Sequence, residues 1–132
     1  MERHLFLAVD IGTQSTRVAL FDPLGKMVAS HSTGYNLVTP RPGWAEQDPE
    51  EWWAAAVQGI RAVMEAAGVL PGEILAACCD AQMHATIPLG ASGELLSHSV
   101  QLWCDKRCSD LVDEFEEHPS LSEAVQTAGS PP

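Results

Sequence analysis

Basic residues are scarce in this chain of 132 residues: seven Lys and Arg stand against 18 Asp and Glu, which gives a formal net charge of -11. So few basic side chains cannot form the positive surface that neutralises a nucleic acid backbone or an anionic membrane. We therefore expect neither nucleic acid nor a membrane as a partner. The same charge disfavours anionic small molecules, so a phosphate site would depend on local backbone N–H groups or a bound cation.

Long hydrophobic runs and paired cysteines are also missing. The N-terminal apolar run is short and is interrupted by Asp10, and no later stretch has the length of a membrane span. Because neither a signal peptide nor a membrane span is predicted, we expect a cytoplasmic protein. The cysteines lack the Cys-x-x-Cys spacing of a zinc site, so we expect reduced structural thiols rather than metal ligands. The four are Cys78, Cys79, Cys104 and Cys108. With 45% apolar residues, the chain can still bury a core.

Three strands are predicted before the first helix. The continuous apolar run at residues 5–9 is typical of a strand covered on both faces, and residues 16–21 resume as a second strand after Gly12 allows the chain to reverse. A Pro-Gly turn leads into a third strand at residues 27–37. All three are expected to be antiparallel. The sequence thus predicts an α/β domain with a mixed sheet.

A well-marked helix follows, with Asp48 as N-cap, Pro49 at the first helical position, Glu51 closing a capping box and Gly68 ending it. Its buried face is predicted from apolar residues at helical spacing. These are Trp53, Val57, Ile60, Val63 and Met64.

The rest of the chain alternates short elements. A fourth strand is expected at residues 74–79, a hairpin turn at 91–95 and a return strand at 99–103. Two short helices are expected at residues 108–118 and 120–129. Acidic residues in the first of these helices have helical spacing, which favours a solvated face over a metal cluster.

The stretch Asp10-Ile11-Gly12-Thr13 has the residue types that a nucleotide phosphate needs. Gly12 lets the main chain come close, hydroxyl groups can donate to phosphoryl oxygens, and a carboxylate can hold Mg²⁺ directly or through water. Arg17 can offset the phosphate charge. The candidate hydroxyl donors are Thr13, Ser15 and Thr16. The alternative is a tight turn in which these side chains only satisfy the local backbone.

Four separated segments resemble the FGGY carbohydrate kinases, and xylulokinases most of all. They are residues 10–15 (DIGTQS), 43–53 (GWAEQDPEEWW), 82–84 (QMH) and 102–107 (LWCDKR). The resemblance covers essentially the whole chain, yet members of the family are several times longer. It therefore implies that residues 1–132 are the N-terminal portion of the first kinase domain, without the second domain.

The resemblance implies an actin-like, ribonuclease H-like ATPase fold, with MgATP and a sugar meeting in the cleft between two domains. On that basis Asp10 is the catalytic and metal-binding carboxylate. The expected phosphate contacts are Gly12, Thr13, Ser15, Thr16 and Arg17. The expected sugar contacts are Met83, His84, Trp103 and Asp105, with Trp103 presenting an apolar face to the sugar carbons. For Asp105 and the nearby Arg107, the resemblance leaves open a second role, in which they only brace the loop. In such kinases the catalytic base is an aspartate that lies beyond residue 132.

The resemblance implies phosphorylation of D-xylulose at its 5-hydroxyl by the full-length enzyme, which is expected to form a homodimer, and an inactive fragment. Glycerol kinases carry an Arg-Glu pair where Met83 and His84 stand, which argues against glycerol. Ala85 replaces the usual glycine and Asp80 a small neutral residue, so another ketose, polyol or sugar acid remains open. The alternative of a different class is a non-catalytic actin-like module that binds nucleotide.

Overall fold

The computed structural model describes residues 4–129. Its strands are β1 (Leu5–Ile11), β2 (Ser15–Phe21), β3 (Met27–Gly34), β4 (Glu46–Gln47), β5 (Ile74–Ala81) and β6 (Val100–Gln101). Its helices are α1 (Pro49–Ala67), α2 (Ser109–Glu116) and α3 (Leu121–Ala128), with a single 3-10 turn at Pro71–Glu73.

A four-stranded mixed sheet in the order β3-β2-β1-β5 forms the centre of the fold. Strands β1, β2 and β3 form two successive antiparallel pairs, and β5 returns parallel to β1 after α1. The prediction of three leading antiparallel strands in a mixed α/β sheet is confirmed. The third strand ends at Gly34, three residues before the predicted boundary. The carboxyl ends of β1 and β5 lie side by side, so the segments that follow each strand meet at one edge.

One face of the sheet is covered by α1, whose small residues allow a close approach. A Cβ on Gly59 would lie 2.5 Å from Val18 Cγ2, so a larger residue could not pack at this crossing. The main core cluster consists of Leu5, Leu7, Val9, Val18, Leu20, Ala56, Val63 and Val69.

The prediction that the first strand is covered on both faces is wrong for the part of the chain described. Leu5, Leu7 and Val9 are buried, whereas Phe6 and Asp10 are exposed. Strand β5 is exposed along almost its whole length, and its Cys78 and Cys79 are free and exposed. An apolar run shows that both faces of a strand can be buried, but not which elements cover them.

Helix α1 begins and ends as predicted, with Asp48 as N-cap and Gly68 as C-cap. The Asp48 carboxylate accepts a hydrogen bond from the N–H of Glu50 at 2.9 Å. The predicted capping box involves the next residue, Glu51. Trp53 is 69% exposed, so its predicted burial is wrong. The buried positions are Trp52, Ala55, Ala56, Gly59 and Val63. Because small residues form most of the buried face, a prediction based on the large apolar side chains alone misplaced it.

The return strand was predicted to pair within a local hairpin, and this prediction is wrong. A turn does form at residues 90–94, but β6 contains only two residues and pairs with β4, which precedes α1. The pairing creates a second core cluster of Ala45, Trp52, Val100 and Leu102. Both short helices are present, and the acidic residues of α2 are solvent-exposed as predicted. Within residues 4–129, no helix combines the length and hydrophobicity needed to cross a bilayer.

Candidate functional site

The turn between β1 and β2 directs its carbonyl groups towards the protein. Tyr35 donates its hydroxyl to the Gly12 carbonyl and its N–H to Gln14 O at 3.2 Å, and Gln47 Nε2 donates to Thr13 O at 2.7 Å. Burial raises the pKa of the Tyr35 phenol, consistent with a retained, donating proton. Within the described chain, the N–H groups of Thr13 and Gln14 have no hydrogen-bond partner. A turn with occupied carbonyls and free N–H groups suits an anion.

Gln47 is the buried centre of this arrangement, with 1% of its surface exposed. Its Nε2 donates to the carbonyls of Thr13 and, at 3.3 Å, Asn36. Its Oε1 accepts from Trp52 Nε1 at 3.0 Å and from Gln82 Nε2 at 3.3 Å. Two carbonyls on one side and an indole N–H on the other fix the orientation of the amide. Gln47 therefore joins the turn, α1 and the segment after β5.

Sequence reasoning missed Gln47, Gln82 and Tyr35. The two glutamines belong to the segments that carry the family resemblance, but nothing in their spacing showed that they contact each other or Thr13. No local signal marked Gln47, because its burial and its contact with Trp52, five residues later, arise only in the tertiary structure. Its partners come from distant segments, which no local pattern reveals.

The predicted hydroxyl donors occupy different environments. Thr13 Oγ1 donates to Gln82 Oε1 at 3.2 Å and accepts from Trp103 Nε1 at 3.1 Å, so its single proton is already used. Thr16 is 1% exposed and its hydroxyl lies 3.5 Å from Tyr35 Oη, inside the protein. This burial contradicts a direct phosphate contact by the Thr16 side chain. Ser15 is half-buried at the start of β2, and its side chain is the hydroxyl donor that remains.

Gly12 fits the close packing of the turn. Its N–H donates to Ser15 O at 3.0 Å, and a Cβ at this position would lie 3.3 Å from the same oxygen. A side chain here would therefore crowd the backbone that presents the free N–H groups.

Asp10 lies on the sheet face opposite α1, in a row of charged side chains. Its register partner on β2 is Arg17 and on β5 is Asp80, and all three are exposed. Directly paired residues project from the same face, so Asp10 stands between a cation and a second carboxylate. The described residues contain no cluster of three or more His, Cys, Asp or Glu placed to hold a metal. Asp10 and Asp80 fit Mg²⁺ because this ion takes few carboxylates and completes its shell with water and phosphate oxygens.

On the other side of the turn, a cavity of about 560 Å³ is lined by His84, Ser99, Gln101, Trp103 and Asp105, among other residues. Trp103 is 59% exposed and forms part of the wall. Its bond to Thr13 places the cavity directly beside the turn. Three of the four predicted sugar contacts line this cavity. The fourth, Met83, is exposed and is not among the lining residues.

The His84 backbone adopts φ 62°, a left-handed conformation that is uncommon for residues other than glycine. Such a conformation carries strain, and strained residues cluster at active sites and ligand clamps. His84 lies three residues after the end of β5 and lines the cavity. His84 is therefore the residue of the Met83-His84 pair that lines the candidate site.

Asp105 lines the cavity but is occupied by protein contacts. Its carboxylate accepts from Ala45 N at 2.7 Å, from Arg107 N at 2.8 Å and from two guanidinium nitrogens at 2.9 and 2.7 Å. Its side chain is 3% exposed. The Arg107 hydrogen bonds hold the pKa of Asp105 well below its usual range. With its oxygens used in this way, Asp105 braces the loop, which does not agree with the predicted sugar contact.

Arg107 completes this brace between two distant segments. Its guanidinium also donates to Glu46 Oε1 at 2.5 Å and stacks on Trp44, 3.7 Å from the ring centre. The Asp105 and Glu46 carboxylates raise the pKa of Arg107. Hydrogen bonds from Ser99 and Arg107 lower the pKa of Glu46. The loop that carries Trp103 is thus tied to the segment before α1.

Comparisons with known proteins identify the family of this chain. Residues 5–131 match the N-terminal domain of the FGGY family of carbohydrate kinases. A glycerol kinase of Caldanaerobacter subterraneus subsp. tengcongensis is 31% identical over 110 residues, which are 83% of this chain and 22% of that protein.

Two solved structures of similar fold come from Lactobacillus acidophilus. A gluconate kinase superposes with a TM-score of 0.83 at 30% identity, over 94% of this chain and 24% of its own. A ligand-bound xylulose kinase superposes with a TM-score of 0.82 at 30% identity, over 93% of this chain and 24% of its own. The chain spans about a quarter of the length of these proteins. It belongs to the FGGY family of carbohydrate kinases and has the actin-like ATPase fold of the family's N-terminal domain.

Proposed function

We propose that this chain is the N-terminal portion of an ATP-dependent sugar kinase, which transfers the γ-phosphoryl group of MgATP to D-xylulose and gives xylulose 5-phosphate. The observation that carries the proposal is the hydrogen bond between Thr13 Oγ1 and Trp103 Nε1. It joins a turn with free N–H groups to the wall of a cavity large enough for a pentulose. A donor phosphate and an acceptor hydroxyl could therefore meet at this edge of the sheet.

The phosphates would be bound by the N–H groups of Thr13 and Gln14 and by the Ser15 hydroxyl. Asp10, with Asp80 beside it, would hold Mg²⁺, and Arg17 would offset charge on the phosphates. When bound, Mg²⁺ would neutralise charge on the transferring phosphoryl group. Phosphoryl transfer depends mainly on positioning and on such charge stabilisation, and these residues contribute to both.

An uncharged acceptor is favoured by the electrostatics of the cavity. The chain carries a net charge of -11, and the described residues that line the cavity include no Lys or Arg. A sugar acid would enter without a cation to pair with its carboxylate, which favours a ketose over gluconate. The pair Met83-His84, in place of the Arg-Glu of glycerol kinases, favours a ketose over glycerol.

The test compares the 132-residue chain with the full-length kinase of which we propose it is a part. ATP consumption is measured with D-xylulose, D-ribulose, glycerol and gluconate. We expect the full-length protein to give its highest kcat/KM with D-xylulose and the 132-residue chain to show little or no turnover, because the second domain completes the site. Asp10→Asn in the full-length protein should lower kcat, with Asp22→Asn, in the exposed turn before β3, as the matched control.

Three outcomes would each change a different part of the proposal. Highest efficiency with another of the four acceptors would replace xylulose but keep the kinase. MgATP binding without turnover of any acceptor would overturn the kinase and favour a nucleotide-binding module. An active 132-residue chain would overturn the requirement for a second domain.

A further inference from the structure

The Thr13 side chain is not available to the phosphates in the way that its position in the turn suggests. A threonine hydroxyl has one proton to donate, and Thr13 Oγ1 gives this proton to Gln82 Oε1 at 3.2 Å. The oxygen then faces Trp103 Nε1, an obligate donor, at 3.1 Å. A phosphate oxygen approaching this hydroxyl would meet lone pairs rather than a proton.

The surrounding contacts hold Thr13 in this state. Gln82 is fixed through its own backbone, since its N–H donates to Ile11 O at 2.9 Å, and its Nε2 donates to Gln47 Oε1 at 3.3 Å. Its Oε1 therefore points to Thr13 as an acceptor. Gln47 Nε2 binds the Thr13 carbonyl at 2.7 Å and fixes the backbone from the other side. For the hydroxyl to donate elsewhere, Gln82 would have to lose its contact.

The position of the Trp103 indole, by contrast, depends on its hydrogen bond to Thr13. The preceding Leu102 is buried, and its N–H donates to Ala45 O at 3.0 Å, so the backbone here is fixed. The ring itself is 59% exposed, and the bond to Thr13 is the hydrogen bond that its N–H makes in the described chain. Without this bond the ring could turn about its side-chain torsions and leave the wall of the cavity.

We propose that the Thr13 side chain is a positioning residue for the sugar pocket: its hydroxyl holds the Trp103 indole against the cavity, while only its backbone N–H is left for phosphate. The inference rests on the proposed function, because it assigns the cavity to the sugar. The hydrogen bond between Thr13 and Trp103 would also keep the turn and the cavity wall in a constant relative position. Loss of the Thr13 hydroxyl would then weaken sugar binding more than it weakens nucleotide binding.

The experiment compares Thr13→Val and Thr13→Ser in the full-length kinase. Valine keeps the shape and the backbone N–H but cannot form either hydrogen bond, whereas serine keeps the hydroxyl. We expect Thr13→Val to raise KM for D-xylulose about tenfold, as for the loss of one hydrogen bond, while KM for MgATP changes less than about twofold. Thr13→Ser should restore the KM for the sugar. A rise in KM for MgATP with an unchanged KM for the sugar would overturn the proposal.

A second measurement follows the indole directly by NMR in the 132-residue chain. We expect the Trp103 Nε1–H signal to shift and its hydrogen exchange to become about tenfold faster in Thr13→Val, and to return in Thr13→Ser. The Trp52 indole, which donates to Gln47, is the internal reference. An unchanged Trp103 signal in Thr13→Val would overturn the inference and leave the kinase proposal standing. Absence of sugar turnover in the unmodified full-length protein would overturn the proposed function, and the sugar role of Thr13 with it.

Discussion

Replacement of the buried Gln47 by leucine tests whether its amide holds the site together. The two side chains have similar size, so the change removes hydrogen bonds without opening a large cavity. It leaves the Thr13 carbonyl, previously bonded at 2.7 Å, and the Trp52 indole N–H, previously bonded at 3.0 Å, without their partner. The two longer contacts, to Asn36 and Gln82, are both 3.3 Å and contribute less.

The expected cost follows from the two short bonds. A buried polar group that loses its partner costs about 1–3 kcal/mol, so two such groups give about 2–6 kcal/mol. Because Thr13 lies in a half-buried turn where water can replace part of the lost contact, we expect about 3 kcal/mol. Urea unfolding followed by circular dichroism should then show a midpoint lower by about 1–3 M.

The control is Trp52→Phe, alone and combined with Gln47→Leu. The single change should cost about 2–3 kcal/mol, because it removes one hydrogen bond and part of a buried ring but leaves Gln47 its other partners. In the double variant no indole N–H is left without a partner, so the cost should be smaller than the sum by about 1 kcal/mol. Simple additivity, or a Gln47→Leu midpoint equal to that of the unmodified chain, would refute the reasoning.

Two further predictions concern His84 and Asp105. His84→Gly should be about 1 kcal/mol more stable than His84→Ala in urea unfolding, because glycine adopts φ 62° without strain and alanine does not. Both changes should lower xylulose turnover of the full-length protein, and equal midpoints for the two variants would contradict the strain. The pKa of Asp105 is lowered from 3.8, so its contribution to stability is present above about pH 4 and is lost as the pH falls further. The Asp105→Asn variant should therefore be less stable than the unmodified chain at pH 7, and it should lose less stability between about pH 4 and 2. Thermal unfolding at each pH measures both effects. A decline as steep as that of the unmodified chain would contradict the lowered pKa of Asp105.

The parts of the fold that could be predicted are those with local signals. The first three strands are separated by short turns, and α1 carries an N-cap aspartate, a first-turn proline and a terminal glycine. These features act within a few residues, so they can be read without knowing the tertiary structure. The pairing of β4 with β6 joins residues more than fifty positions apart through two-residue strands. Strands so short have no periodicity, and their pairing follows from the packing of Trp52 against Val100 and Leu102.

The sequence indicated the segments that form the candidate site, but not the contacts between their side chains. Strand alternation alone could have separated the hydroxyls of β2, because Thr16 shares its face with buried Val18 and Leu20 whereas Arg17 shares its face with Asp10. No such rule applies to Thr13, which lies in the turn. Its role depends on which donors and acceptors surround one hydroxyl group, and those come from the segments after β5 and β6. A motif rich in hydroxyl groups therefore indicates where phosphate chemistry is placed, while each individual hydroxyl must be assigned by counting its proton and its partners.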